Sequence, residues 1–308
     1  MAKEFEQMEW SAAIEDDCRH LIRLAVREDL DRTFDWTTVA LVPEQSRGAA
    51  HMVSRQAGVV AGCQVVSIII EELNADLAWS PVVTDGDPLQ PGSEIGLLSG
   101  CVRDLLVAER LVLNLVGHLS GIATLTSAYT AAIAGTRAKI YDTRKTTPGY
   151  RRMEKFAVRC GGGKNHRRGL FEAVLIKDNH LDFGLSDLGQ PFTPAQAVVA
   201  ARDFLKATLP KTQAEEMILE IEVDNLEQLD QVLPTVPDIV LLDNMRPSLL
   251  ANAVSQRNLI APQVQLEASG GVNLKTVRNI AESGVDRISV GALTHSAASL
   301  DIGLDWQR

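Results

Sequence analysis

The stretch ILEIEVDNLEQLDQVLPTVPDIVLLD, residues 218–243, holds two apolar runs that each close on an acid, Glu222 and Asp243, around a segment of helical pattern. The same layout recurs after Gly135: AKIYD runs to Asp142, AVLIK to Lys177, VQLEAS to Ser269 and RISVG to Gly291, with helical segments between the later runs. Strands that alternate with helices imply a parallel sheet with crossover connections. Units of this kind close into a barrel whose active site lies at the carboxyl ends of the strands, where these polar residues fall. A doubly wound sheet would require a G-x-G-x-x-G after its first strand, and the sequence has none. Thr193 followed by Pro194 predicts one helix start, and a helix opened by Asn273 and closed by Gly284 is predicted before the last strand.

Ahead of Gly135 the pattern is α+β. Leu21, Ile22, Leu24, Ala25 and Val26 give an apolar face to a helix from about Ser11 to Leu30. Alternating runs with Gly, Pro and Asp turns follow on both sides of the helical GCQVVSIIIEELNA, and a further helix is predicted from Val102 to about Ile133.

With 308 residues, 45% of them hydrophobic, the chain can bury a large core, as one large barrel or two modest domains. No uninterrupted apolar run approaches the ~20 residues of a membrane span, and the acidic start lacks the layout of a secretory signal. The expectation is a cytoplasmic protein without membrane contact. Cys18, Cys63, Cys101 and Cys160 are far apart and form no CxxC pair, so they read as reduced thiols. A net charge of −10 and a pI near 5.1 argue against nucleic acid as partner. Within this acidic chain, residues 144–168 hold nine Lys or Arg against Glu154 alone. That cluster fits either a solvated basic helix or a pocket for a compact, highly charged anion.

Chemistry converges on the strand ends. SGGVN (Ser269, Gly270, Gly271, then Val272 and Asn273) and the loop beginning at Gly291 follow the last two strands, where glycines let backbone N–H groups approach a phosphate. Glu222 and Asp243 could hold Mg²⁺, bind sugar hydroxyls or stabilise positive charge at a sugar carbon, or else pair with Lys177 or Arg144. Glu220 shares a face with Glu222 because strand side chains alternate. Arg144, Lys145, His166, Arg167 and Lys177 are the candidate anion contacts. Arg151, Arg152, Lys155 and Arg168 read as solvated charge without a role.

In this order DTRKTTPGYR, GGGKNHR, VLIKDNH, IEV, VLLDNM, EASGGVN and ISVGALTHS strongly resemble quinolinate phosphoribosyltransferase, a likeness that extends to AERLVLNLVGHLSGIAT and VREDL with DWTT. The resemblance implies an N-terminal α/β sandwich domain, 1–135, and an open, incomplete α/β barrel domain, 136–308, with a tail from about 295 packing back on the first domain. It implies Mg²⁺-dependent phosphoribosyl transfer from phosphoribosyl diphosphate to quinolinate, giving nicotinate mononucleotide, diphosphate and CO₂. A homodimer or larger homo-oligomer with shared active sites is implied too, Arg110 being the arginine contributed across the interface. Arg144, Lys145, His166, Arg167 and Lys177 match the quinolinate and diphosphate contacts. Glu222 and Asp243 match the carboxylates around ribose and Mg²⁺, and Ser269, Gly270, Gly271 and Gly291 match the 5′-phosphate loop.

Overall fold

The computed structural model describes residues 3–185 and 189–307. Its strands, in chain order, are β1 (Arg47–Ser54), β2 (Gly58–Val59), β3 (Leu77–Pro81), β4 (Pro88–Leu89), β5 (Glu94–Cys101), β6 (Lys139–Tyr141), β7 (Ala173–Ile176), β8 (Ile218–Val223), β9 (Ile239–Asp243), β10 (Gln265–Ser269), β11 (Arg287–Ser289) and β12 (Ile302–Gln307). They divide between two compact units, and no single cut near residue 135 separates the two. Among the described residues, one unit combines 3–7 with Tyr129–Arg144 and Lys164–Gly291; the other combines Met8–Ala128, Lys145–Gly163 and 292–307.

The first unit is built on a six-stranded parallel sheet in the order β6-β11-β10-β9-β8-β7. Strands covered on both faces must be apolar throughout, which is why β9 reads IVLLD with only its last residue polar. Each buried Ile, Leu or Val contributes roughly 1.5–3 kcal/mol relative to exposure. β6 and β7 are the two edges, so the barrel is open between them. The segment Lys164–Arg167 runs into that gap: Lys164 bridges Tyr141 of β6 in parallel, and the Arg167 guanidinium donates to the Ala173 carbonyl of β7 at 3.0 Å.

Helix Pro194–Thr208 opens at Thr193 with a reciprocal capping box to Gln196, as its sequence predicts. The helix predicted from Asn273 is shorter, Val277–Glu282. The Asn273 side chain accepts from the Lys275 N–H at 3.0 Å, and the local turn this makes displaces the regular helix to later residues.

The second unit carries an antiparallel sheet in the order β12-β1-β5-β3. Helices Ala12–Leu30 and Cys63–Glu72 pack on each other and are tied by Arg19 and Arg23 to Glu72. The 31-residue helix Val102–Ala132 is long and apolar enough, by length and composition, to cross a membrane, and 61% of its most apolar window is buried in the fold. Asn114, His118, Ser120 and Thr124 interrupt its apolar run, which is why run length alone passes over it. Gly121 on this helix allows a close backbone approach: a Cβ there would lie 2.1 Å from the Ala298 carbonyl oxygen. Beyond that contact, β12 joins the sheet antiparallel to β1.

Candidate functional site

The carboxyl ends of the parallel strands collect most of the residues singled out in the sequence. Lys177 follows β7 and caps helix Asp178–Phe183. Glu222 lies at the end of β8 and Asp243 at the end of β9, with Ser269 of β10 opposite Asp243 in register. Gly270 and Gly271 continue from Ser269, and Gly291 follows β11. Arg144, His166 and Arg167 belong to the same compact unit, whereas Lys145 and Arg110 are counted with the other, both exposed.

At this rim the Lys177 ammonium pairs with the Glu222 carboxylate. Burial pushes the Glu222 carboxyl above its usual range, Lys177 opposes that, and the neighbouring charge of Asp243 adds to it. The Asn244 side chain donates to Asp243 at 2.6 Å, and the Asn244 backbone N–H donates to the Ser269 carbonyl at 2.9 Å, joining the ends of β9 and β10. Gly270 takes φ +90°, and a Cβ there would lie 2.2 Å from the Asn244 side-chain oxygen. Gly271 takes φ +62° with open space where a Cβ would stand, and its carbonyl accepts from the Asn273 side chain at 3.2 Å.

One layer down the same strands the charges are buried. Glu220 lies two residues before Glu222, Glu267 two before Ser269, and Arg287 four before Gly291; all three are fully buried. His166 Nε2 lies 3.1 Å from Glu220 and 3.5 Å from Glu267. Arg287 donates to Glu267 at 2.8 Å and lies over the Tyr141 ring at 3.6 Å. The His166 backbone N–H and the Asn165 side chain both donate to Asp142, buried after β6. Burial works against charge on the His166 ring, but Glu220 and Glu267 outweigh it and its pKa is raised. For Arg167, burial and the nearby Arg144 charge lower the pKa, with Glu220 opposing them. Arg144, Arg167, Glu220 and His166 thus form one chain of charges.

His166, Glu220 and Glu267 offer ligand atoms within 4.8 Å of one another. Arg287 on Glu267 and Arg167 beside Glu220 already bring positive charge to this group, so it is neutralised from within the protein. Strand alternation drew attention to Glu220; nothing in the sequence marked Glu267 or Arg287, because a strand-end pattern is silent about which interior positions face each other.

The reading of solvated charge is corrected at Lys155, while Arg152 remains exposed. Lys155 is fully buried; Arg152 pairs with Asp17 at 2.8 Å, Arg168 pairs with Glu172 at 3.0 Å and Glu6 at 2.6 Å, and Arg151 donates to the Thr146 hydroxyl at 3.0 Å. Glu154 is buried too, where it holds His118 at 2.9 Å. Burial pushes the Cys160 thiol up to about 12, which leaves it protonated and unreactive.

Two family models cover the chain: the N-terminal domain of quinolinate phosphoribosyl transferase matches residues 35–120, and its C-terminal domain matches 122–305. The chain belongs to the quinolinate phosphoribosyltransferase family. It is 44% identical over 292 residues to a nicotinate-nucleotide pyrophosphorylase (carboxylating) of Mycobacterium leprae, covering 94% of this chain and 97% of that one. It is 37% identical to a decarboxylating quinolinate phosphoribosyltransferase of Nicotiana tabacum, covering 94% and 82%. The solved nicotinate-nucleotide pyrophosphorylase of Francisella tularensis superposes with a TM-score of 0.86 at 34% identity, covering 98% of this chain and 99% of that one. The two-part architecture, an antiparallel sheet unit and an open parallel barrel, is that of the quinolinate phosphoribosyltransferase family, and by family the chain is a phosphoribosyltransferase.

Proposed function

We propose that this chain transfers the phosphoribosyl group of phosphoribosyl diphosphate to quinolinate with loss of CO₂, giving nicotinate mononucleotide and diphosphate in NAD biosynthesis. The observation that carries this reading is the rim: Lys177, Glu222, Asp243 and the Ser269–Gly271 turn meet at the carboxyl ends of consecutive parallel strands, in a chain of this family.

In this reading Ser269, Gly270, Gly271 and Gly291 hold the 5′-phosphate by backbone N–H groups, and the space beside the Gly271 Cα admits it. Arg144, His166 and Arg167 hold the two quinolinate carboxylates. Lys145 and Lys177 offset the charge of the departing diphosphate. As the bond from the anomeric carbon to diphosphate breaks, the sugar becomes cationic, and Glu222 with Asp243 stabilises it while the ring nitrogen attacks the same carbon. The quaternised ring then accepts the electron pair left when the adjacent carboxylate departs as CO₂, and that carbon takes up a proton.

A divalent cation fits the donor set, because Glu222 and Asp243 are two hard oxygen ligands at the ends of adjacent strands. Mg²⁺ would supply charge neutralisation on diphosphate, with Glu222 and Asp243 as its protein ligands. Arg110 acts in trans in a homo-oligomer, completing the site of a second copy. A lysine imine mechanism is the other reading of a barrel lysine, and the Glu222 carboxylate on Lys177 disfavours it. The test offers the purified protein Mg²⁺ and phosphoribosyl diphosphate with quinolinate or nicotinate. CO₂ release with quinolinate alone, lost on chelation, is expected; turnover of nicotinate instead would reject the reading.

A further inference from the structure

The segment Lys3–Gln7 lies ahead of both family-model matches, yet it is counted with the barrel unit rather than with the helix that follows it. Each of its residues from 3 to 5, and residue 7, meets the barrel. Phe5 is buried against Ala173, Ile218 and Ile239, the first residues of β7, β8 and β9, so its ring enters the barrel from the amino-terminal mouth. There it faces the His166 ring at 4.4 Å between centroids, tilted by 31°, and lies 5.1 Å from the Arg287 guanidinium. Lys3 donates to the Met217 carbonyl at 2.9 Å and to Asp238 at 3.1 Å, just ahead of β8 and β9. Glu4 accepts from the Tyr141 hydroxyl at 2.9 Å and from Arg287 at 3.3 Å. Gln7 and the backbone of Asn165 exchange two hydrogen bonds, at 2.9 and 3.2 Å, directly ahead of His166 in the chain.

Six strands leave an interior that an eight-stranded barrel would fill from its own strands. In this unit part of that filling comes from a segment some 160 residues away in sequence, and it stands under a residue of the site. We infer that Lys3–Gln7 is the floor of the barrel, and that Phe5 and Gln7 are positioning residues: Phe5 supports the His166 ring from below while Gln7 fixes the backbone leading into His166 and Arg167. Neither touches substrate. Their effect reaches the reaction through His166 and Arg167, so this inference rests on the proposed role of those two side chains toward quinolinate.

The experiment uses the full-length protein with Phe5→Ala, Phe5→Leu and Gln7→Ala. Removing the ring frees His166 to shift, and a misplaced binding group raises the quinolinate KM by about tenfold or more, while the phosphoribosyl diphosphate KM stays within about twofold. Phe5→Leu, which refills the space, recovers most of the loss. Gln7→Ala keeps the core intact and shows the same quinolinate-selective effect at about threefold. In the substrate-free protein the NMR signals of the His166 ring move in both Ala variants. Unchanged ring signals in both would overturn the brace, and so would equal increases in both KM values without recovery in Phe5→Leu. The ring signals need no substrate, so they decide the brace even if wild-type protein fails to turn over quinolinate, a failure that would count against the proposed reaction instead.

Discussion

The rim of the barrel and the layer beneath it use the same strands and the same kinds of residue, two to four positions apart, to opposite ends. At the rim Lys177 keeps 42% of its side chain exposed, and Gly271 has open space where a Cβ would stand. One layer below, Glu220, Glu267 and Arg287 are sealed from water and spend their charge on one another and on His166. A half-exposed ion pair contributes little to stability and can exchange its partner for a ligand. A buried one cannot be broken without leaving an uncompensated charge in a poorly polarisable interior. The rim keeps charges that a ligand can claim, and the layer beneath keeps charges that cannot be released without cost to the fold.

That contrast breaks most decisively at Arg287. Arg287→Met strands Glu267 and is expected to destabilise the protein by about 3–5 kcal/mol, read as a lower urea midpoint. If stability were unchanged, the interior layer would not be a structural element. Next in size, Asp243→Ala should leave the urea midpoint nearly in place and lower turnover by about 10²–10³. A near-normal rate would remove Asp243 from the mechanism. Gly270→Ala forces a left-handed residue to carry a Cβ into Asn244, so the loop shifts and the KM for phosphoribosyl diphosphate should rise about tenfold with quinolinate KM little changed.

The pH dependence sharpens the comparison on a smaller scale. Because the folded His166 pKa is raised above its ordinary value, its charge stabilises the fold in full below about pH 6.5 and that stabilisation fades as pH rises through the raised value. Against burial and the Arg287 charge, Glu220 and Glu267 raise that pKa. Melting temperature against pH should show the step in wild-type protein and a flatter profile in Glu220→Gln. Smallest of all, Lys177→Met at the rim should cost no more than about 1 kcal/mol of stability while impairing turnover.

Much of this was legible in the sequence because it is local. Short continuous apolar runs that end on Lys177, Glu222, Asp243 and Ser269 announce parallel strands and put these residues at one mouth without any knowledge of neighbours. The Thr193 cap is equally local, and the motifs carried the family. Asn273 shows where local signals compete: the same side chain that marks a helix start also makes a turn of its own, and the turn took precedence.

The sequence by itself therefore determined the strand grammar, the family and the residues of the rim, all properties of short stretches read in order. Only the tertiary structure decided that Lys155 and Glu154 are core residues, that Glu267 and Arg287 answer His166, and that Phe5 fills the barrel. Those depend on which side chains far apart in the chain meet, and on water being excluded where they do. Neither propensity nor spacing records that.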